Sequence, residues 1–489
     1  MLLRHRYAVM VACLCTAAVA ECAETGWSRE QQQHFGQSVT DLSRSVGTLG
    51  YLYGMTFFEF AVAEGRQVRG IARDNSAPHG VFSYFNGGRL SDHTTTWFGV
   101  PNPDVLYSSA WVYLKGHPYV IYVPPMDGIW YSVQFENYYT VNEGYLSSRT
   151  IGHRGGYYLV TYGDWKEPLP PGIQGHIRLT TPTTWILTRI EATHDNERER
   201  HLDYERKFRL IDLETYLKDP TRAKDLPQKP QENVPPVPEA SYDIRETIDY
   251  FRIVNHYLRE IDAPPEDKGL LALFDAAGFG PNVVFDAQKL PAQARAGLEQ
   301  SVRDGFRLLD TMRARPIVPI GGGWSTAPRH IGTFGQDYVL RALCVFGGLG
   351  ANIPEEAVYP NAYSDSEGRL LSGDHDYSIT FAKDQLPPTL AFWSITLMDS
   401  TTHFMVDNPI HRNHIGSNTK GLRYDADGSL TIYVAAQEPS DPVLRANWLP
   451  SLPGMGIHLM MRIYEPTQEV LDGRYRPPAV VRVADGVAQ

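Results

Sequence analysis

The sequence predicts a mainly β protein with a helical insert: two β-sandwich domains joined by a mostly α-helical segment. Three observations carry that expectation. Short runs of apolar/polar alternation, with turn residues between them, fill residues 107–190 and return over 377–464, which is the pattern of stacked antiparallel sheets. Between the two sets, residues 219–239 carry Pro220, Pro227, Pro230, Pro235, Pro236 and Pro238, a composition that favours an extended, semi-rigid linker. Beyond the linker, apolar residues recur at helical spacing as far as Met312.

Residues 1–23 read as an export signal. Arg4 and Arg6 give a basic start, residues 8–20 an apolar run, and Ala18-Val19-Ala20 a small-residue cleavage site, with a second cut after Ala23. About 13 apolar residues are too few to cross a bilayer core. The mature chain is therefore expected to be periplasmic or secreted, with no membrane partner. Residues 24–218 form the N-terminal domain. A helix over 28–65 opens it: Ser28 with Glu30, Gln31 and Gln32 suits a helix start, and Leu42, Val46, Leu49 and Tyr53 recur at helical spacing. Gly47, Gly50 and Gly54 permit either close packing or a break in that helix. Strands are expected at 107–114, 119–123, 130–135, 157–162 and 184–190. A helix over 203–217 follows, with Phe208, Leu213 and Leu217 toward the core.

The linker occupies 219–241 and the helical segment 242–330. Asp243 with Glu246 starts one amphipathic helix carrying Ile244, Ile248, Phe251 and Leu258. A second, after Pro291, carries Leu298, Val302, Phe306, Leu309 and Met312 and stops at Arg315-Pro316. The C-terminal domain, 331–489, begins with the apolar segment 338–348 and has strands at 377–381, 392–398, 430–434 and 457–464. In the last of these, Ile457, Leu459, Met461 and Ile463 face one way, and His458, Met460, Arg462 and Tyr464 the other.

The bulk properties narrow the partners. At 489 residues the chain exceeds one ordinary core. Its 42% hydrophobic and 21% charged residues are those of a folded chain, and 28 Tyr, 42 Gly and 35 Pro suit turn-rich β structure. A net charge of −11 without any block of Lys or Arg argues against nucleic acid and anionic membranes as partners, while leaving room for a local basic pocket. Cys13, Cys15 and Cys22 fall in the signal, so only Cys344 is kept and no disulfide framework is expected. Cys344 lies in the apolar run Leu343-Cys344-Val345-Phe346 and reads as a buried, inert thiol. The sequence has no Gly-x-Ser-x-Gly elbow, no Walker loop and no Gly-x-Gly-x-x-Gly after a strand, so no nucleotide or other cofactor is expected.

Four groups of residues have chemistry to offer. Asn102, Asp104 and Tyr107 stand at a strand entrance, where they either orient a ligand and transfer a proton or close an Asx-turn. Arg149, near Gly155-Gly156, suits a carboxylate clamp or an ion pair with an acidic residue. Arg341, set among apolar residues, calls for a partner, with Asp365 and Asp374 the candidates. Asp374-His375-Asp376, His403, Asp407, His411 and His414 form a loose His/Asp set that offers metal ligands, although Pro409 argues for a loop and the set has no recognised metal spacing.

These residues also resemble a known family, the two-part bacterial proteins described as domains of unknown function 1254 (N-terminal) and 1214 (C-terminal). In the N-terminal half the resemblance rests on Asn102-Pro103-Asp104-Val105-Leu106-Tyr107-Ser108, Val123-Pro124, Arg149-Thr150-Ile151-Gly152 and Tyr157-Tyr158-Leu159-Val160. Val105 stands where the family usually has Thr. In the C-terminal half it rests on Tyr338 with Arg341-Ala342, Phe392-Trp393-Ser394-Ile395-Thr396, Asp407-Asn408-Pro409 and Asp427-Gly428-Ser429-Leu430-Thr431-Ile432. Asn447-Trp448-Leu449-Pro450, Arg462-Ile463-Tyr464-Glu465-Pro466 and Leu471-Asp472-Gly473 complete it. The resemblance covers almost the whole mature chain. It implies two β-sandwiches, the second jelly-roll-like, a helical segment between them, export and homo-oligomerisation.

Three functions follow as expectations. The first is an enzyme acting outside the cytoplasm on a polar, uronate-containing carbohydrate by lyase-like proton abstraction. There Arg149 or Arg462 neutralises the carboxylate, Tyr107 or a His serves as base and acid beside Asp104, and Asn102 and Arg341 bind substrate. The second is a non-catalytic envelope protein that binds a small-molecule, carbohydrate or protein partner through its aromatic residues. The third is a metal-dependent hydrolase built on the 375–414 region.

Overall fold

Ser28 caps the first helix, α1 (Arg29–Val68), by a reciprocal pair. Its hydroxyl accepts from the Gln31 amide at 3.2 Å, and the Gln31 side chain accepts from the Ser28 amide at 2.9 Å. The computed structural model describes residues 27–71, 75–96, 100–192, 198–313 and 318–483. The export signal with its three cysteines, and the Arg315-Pro316 helix stop, lie outside the described residues.

The first sandwich is built from β1 (Ser83–Tyr84), β2 (Val105–Tyr113), β3 (Tyr119–Val123), β4 (Tyr131–Asn137), β5 (Asn142–Ser147), β6 (Gly156–Tyr162), β7 (Ile173–Leu179), β8 (Thr183–Glu191) and β9 (Arg209–Asp212). One sheet runs β1-β2-β8-β4-β5 and the other β7-β6-β3-β9. Alternate residues meet between them: Ala110, Val112, Val133, Phe135, Ile186 and Ile190 from the first, and Ile121, Val123, Val160 and Leu210 from the second. A short helix, α2 (Ser148–Ile151), follows β5. The helix expected over 203–217 is instead three pieces: α3 (Arg198–Glu205), strand β9, and α4 (Leu213–Lys218). The exposed edge of β3 explains the interruption, because β9 pairs antiparallel with it and satisfies its backbone groups. Asp212 then caps α4 by accepting from the Thr215 amide at 2.8 Å. Phe208 and Leu213 are buried, and Leu217 is exposed.

The proline-rich stretch lies against this sandwich. The Gln231 amide donates to His79 O at 2.8 Å, its side chain accepts from the Tyr113 amide at 2.9 Å, and the Gln228 side chain accepts from the Phe82 amide at 3.0 Å. The next helix, α5 (Tyr250–Glu260), begins later than Asp243. Residues Tyr242–Ile244 form a 3₁₀ turn that aims Tyr242 and Arg245 at Glu59 of α1, at 3.1 and 3.5 Å. Helices α6 (Lys268–Ala276), α7 (Ala292–Arg313) and α8 (Tyr338–Gly347) complete a helical layer around α1. The α1 glycines are contact points, not breaks. A Cβ at Gly47 would lie 2.3 Å from Ser301 Oγ, and one at Gly54 2.3 Å from Val254. From the other side, a Cβ at Gly297 of α7 would lie 2.3 Å from the Thr40 carbonyl oxygen.

The second sandwich contains β10 (Val318–Gly321), β11 (Trp324–Thr326), β12 (Ala357–Val358), β13 (Asn361–Ala362), β14 (Tyr377–Phe381), β15 (Trp393–Asp399), β16 (His414–Gly416), β17 (Leu430–Ala435), β18 (Trp448–Pro450), β19 (Ile457–Tyr464) and β20 (Val481–Arg482). One sheet runs β10-β11-β13-β19-β15-β16, with β12 also on β19, and the other runs β18-β17-β14-β20. Ile457, Leu459, Met461 and Ile463 of β19 enter the core between these sheets, as their alternation predicts. Tyr464, on the opposite face of β19, joins a core that also holds Phe60 of α1 and Trp111 and Trp185 of the first sandwich. The helical layer is thus shared by both sandwiches. The chain is mainly β, with helices between its two halves.

Two outcomes test this packing. Gly297→Ala gains helix propensity of about 1 kcal/mol, but its methyl meets rigid backbone, and overpacking costs about 1–3 kcal/mol; the thermal midpoint should fall, and a rise would contradict the close α1–α7 contact. Glu205 is fully buried, neither carboxylate oxygen has a hydrogen-bond partner among the described residues, and desolvation pushes its carboxyl up to about 8. The folded state holds that proton more tightly than the unfolded one, so its contribution to stability is full below the ordinary Glu range and is lost as pH rises through about 8. Glu205→Gln should flatten the fall of the thermal midpoint between about pH 5 and pH 9; an unchanged slope would contradict this.

Candidate functional site

The outer face of β19 meets the entrance of β2 in a buried polar seam between the two halves. Asp104 Oδ2 accepts from Ser394 Oγ at 2.5 Å and from the Tyr464 hydroxyl at 3.1 Å. His414 Nε2 stands 3.9 Å from the other oxygen. Asn102 Oδ1 accepts from the Asp104 amide at 2.9 Å, the Asx-turn expected of Asn-Pro-Asp. Its Nδ2 reaches Tyr464 at 2.7 Å and Tyr107 at 3.2 Å. Arg462 donates to Thr396 Oγ1 at 2.6 Å and to Pro101 O at 3.3 Å. Burial and the Asp104 carboxylate push the Tyr464 phenol well up. Asn102, Asp104, Tyr107 and Arg462 are therefore brought together, all of them buried.

The other two arginines lie elsewhere. Arg149, in α2, donates through Nε and Nη2 to Glu356 Oε1 at 2.8 and 2.7 Å, an ion pair across the seam. Burial raises the Glu356 carboxyl, and Arg149 and the Ser147 hydroxyl partly offset this. Arg341 takes neither of its expected partners. Asp365 pairs with Arg369 at 2.7 Å, and Asp374 bonds Ser372 and the Gly454 amide. The Arg341 guanidinium instead lies over Tyr53, Tyr139 and Tyr338, 4.9–5.3 Å from each ring. The loose His/Asp set is dispersed: His375 contacts Arg482, His411 lies by exposed Asp407, and His414 lies by Asp104. Among the described residues no three His, Cys, Asp or Glu side chains form a metal-binding group. Cys344 is a half-buried free thiol that desolvation pushes up to about 12, consistent with an inert role.

Toward its start, the same face of β19 presents Met460 and His458 to a cavity of about 380 Å³, within the range of small-molecule sites. Val100, Arg313, Asn361, Tyr363, Thr402 and His403 also line it. Its hydrogen bonds are directional. Asn361 Nδ2 donates to Tyr359 O at 2.8 Å, so its Oδ1 is left to accept from His458 Nε2 at 2.7 Å. Neutral His458 then has a bare Nδ1, which accepts from His403 Nδ1 at 3.4 Å. That leaves His403 Nε2 without a proton. The Tyr363 ring stacks on His458 at 4.2 Å between centroids and 7° between planes. Desolvation, with help from Arg313, lowers the pKa of His403, and burial lowers that of His458 further.

Two residues lining this cavity have positive φ without being glycine, Val100 at 52° and His403 at 58°. A β-branched residue in that region is strained, and such strain clusters at functional sites. The tight turn after β15 holds His403: its amide donates to Asp399 O at 2.8 Å, and Asp399 Oδ1 accepts from the Thr401 and Thr402 amides. The strand alternation of 457–464 placed His458 beside Arg462, off the core face. No sequence signal joined it to Asn361, Tyr363 or Arg313, and His403 stood out only within the dispersed His/Asp set.

Two family profiles match the chain in order: "Protein of unknown function (DUF1254)" over residues 83–211 and "Protein of unknown function (DUF1214)" over residues 356–468. No curated protein matches. Among solved structures, the VPA0106 protein from Vibrio parahaemolyticus has the same fold. It is 22% identical with a TM-score of 0.65, and the match covers 90% of this chain and 100% of that one. A second solved protein, from Burkholderia cenocepacia, matches at 16% identity and a TM-score of 0.44, covering 93% of this chain and 99% of its own. The matched regions fall one in each sandwich, so the chain carries a DUF1254 region followed by a DUF1214 region.

Proposed function

We propose that the chain is an enzyme acting outside the cytoplasm, in which His403 removes a proton from a small sugar-acid substrate of the uronate class. The observation that carries this reading is the ordered set Asn361–His458–His403 facing a cavity in which Arg313 is the one formal charge among the described lining residues. The Arg313 guanidinium is held by Asp310 through Nη2 at 3.0 Å and keeps further N–H donors that suit a carboxylate, and a neutral, oriented imidazole suits a base.

In the proposed elimination, Arg313 binds the substrate carboxylate and stabilises the charge that develops on the adjacent carbon. His403 Nε2 takes the proton from that carbon. The electron pair of the broken C–H bond forms a carbon–carbon double bond, and the C–O bond at the next carbon breaks. The leaving oxygen takes a proton from the Tyr363 hydroxyl, which desolvation keeps protonated by raising it to about 12. His458 and Asn361 are positioning residues that fix the tautomer of His403. Asn102, Asp104, Tyr107 and Arg462 hold the seam that carries His458, and Arg149 with Glu356 clamps its far end.

Incubation with a panel of uronate polymers and oligomers, followed by the absorbance of unsaturated products, tests the reading. The wild type should give product and a folded His403→Gln variant none; no product from any uronate, or undiminished product from His403→Gln, would end the proposal. Arg313→Gln should lower kcat/KM roughly 10- to 100-fold, the loss of a charged hydrogen bond; an unchanged value would remove Arg313 from substrate binding. Burial and Arg313 lower the pKa of His403, and Asp399 only partly opposes them, so the base form persists below the ordinary histidine range. The acid limb of the kcat/KM profile should fall there, and a limb on the alkaline side of that range would exclude His403 as the base.

A further inference from the structure

We infer that a second ligand site lies across Phe346 from the His403 cavity and takes a small, flat, aromatic carboxylate. It is a cavity of about 210 Å³ between α1, the outer face of the first sandwich and the end of α8. Phe346 and Gly347 line both cavities. The Phe346 ring has Arg245 of this cavity at 5.0 Å and Arg313 of the other at 5.6 Å.

The shape and the donors point to that class of ligand independently. Trp111 and Trp185 stack at 5.7 Å and 18° and line the cavity with Phe85 and Phe346, which suits an aromatic ring. The Trp111 indole N–H is satisfied by Gln67 Oε1 at 3.1 Å. Trp185 and Arg245 both line the cavity, and among the described residues the buried Trp185 indole N–H and Arg245 Nε–H have no hydrogen-bond partner. Buried donors without acceptors are costly, so a ligand whose acceptors reach these groups as the side chains adjust is favoured. The charge balance has the same sign. Arg66 and Arg245 line the cavity, and among the described residues Arg66 has no ion pair. Glu59, the one carboxylate lining it, is pushed up to about 7 by burial, so it offsets at most one of these cations near neutrality. The site does not depend on the chemistry assigned to His403.

Calorimetric titration of the full chain with benzoate tests the inference. Saturable binding is expected, with benzyl alcohol, the same ring without the charge, binding at least about tenfold more weakly, equivalent to about 1.4 kcal/mol. Trp185→Phe keeps an aromatic ring, though a smaller one, and deletes the N–H, and Arg66→Gln deletes a charge; each should weaken benzoate several-fold or more, whereas Arg313→Gln should leave it unchanged. No saturable binding, equal affinity for benzyl alcohol, or full affinity in both Trp185→Phe and Arg66→Gln would overturn the site. Loss of binding in Arg313→Gln alone would place benzoate in the His403 cavity and overturn it as well.

Discussion

A buried carboxylate, Asp104, fixes how the two halves of the chain meet. It is fully buried, and a buried carboxyl group is tolerable only where hydrogen-bonding partners are built around it. The donors come from the opposite sandwich: the hydroxyls of Ser394 on β15 and Tyr464 on β19. Arg462, one alternation from Tyr464, bonds back to Pro101 beside the same entrance. Each contact pairs a residue near position 100 with one some 290–360 positions later, so the sandwiches cannot slide without unmaking several buried hydrogen bonds at once. The Arg149–Glu356 pair closes the same seam further along.

The seam also accounts for where the cavity lies. Strand β19 carries one continuous outer face: Tyr464 and Arg462 lock onto the first half, while Met460 and His458 run beyond the contact and are left facing a gap. The chain entering β2 supplies the strained Val100 to that gap, and the turn after β15 supplies the strained His403. Such backbone persists only where the surroundings over-determine it. Here the surroundings are the locked seam on one side and the Asp399 turn on the other. Scaffold and imidazole pair are therefore one construction.

Much of this fold was legible in the sequence because strands declare themselves locally. The alternation of 457–464 gave both faces of β19, and runs such as 119–123 and 377–381 coincide with β3 and β14. Elements that exist only through a distant partner were not legible. The four residues of β9 sit between helices and become a strand because β3 offers an open edge. Asp243 resembles a helix start, but Glu59, far away on α1, recruits Tyr242 and Arg245 into a turn. The candidate site follows the same division. Asn102, Asp104 and Tyr107 stood out as a local cluster and converge with Arg462. Asn361, His403 and His458 are scattered over nearly a hundred positions and meet only by sheet pairing and a turn. Arg341 was noticed as a charge in an apolar run, but its aromatic surroundings come from three separate segments.

The directional chain from Asn361 through His458 to His403 can be read directly by nitrogen NMR of the chain labelled at histidine. Two neutral rings are expected near neutral pH, with His458 protonated at Nε2 and His403 at Nδ1. A His458 protonated at Nδ1, or a charged imidazole at either position under those conditions, would contradict this arrangement.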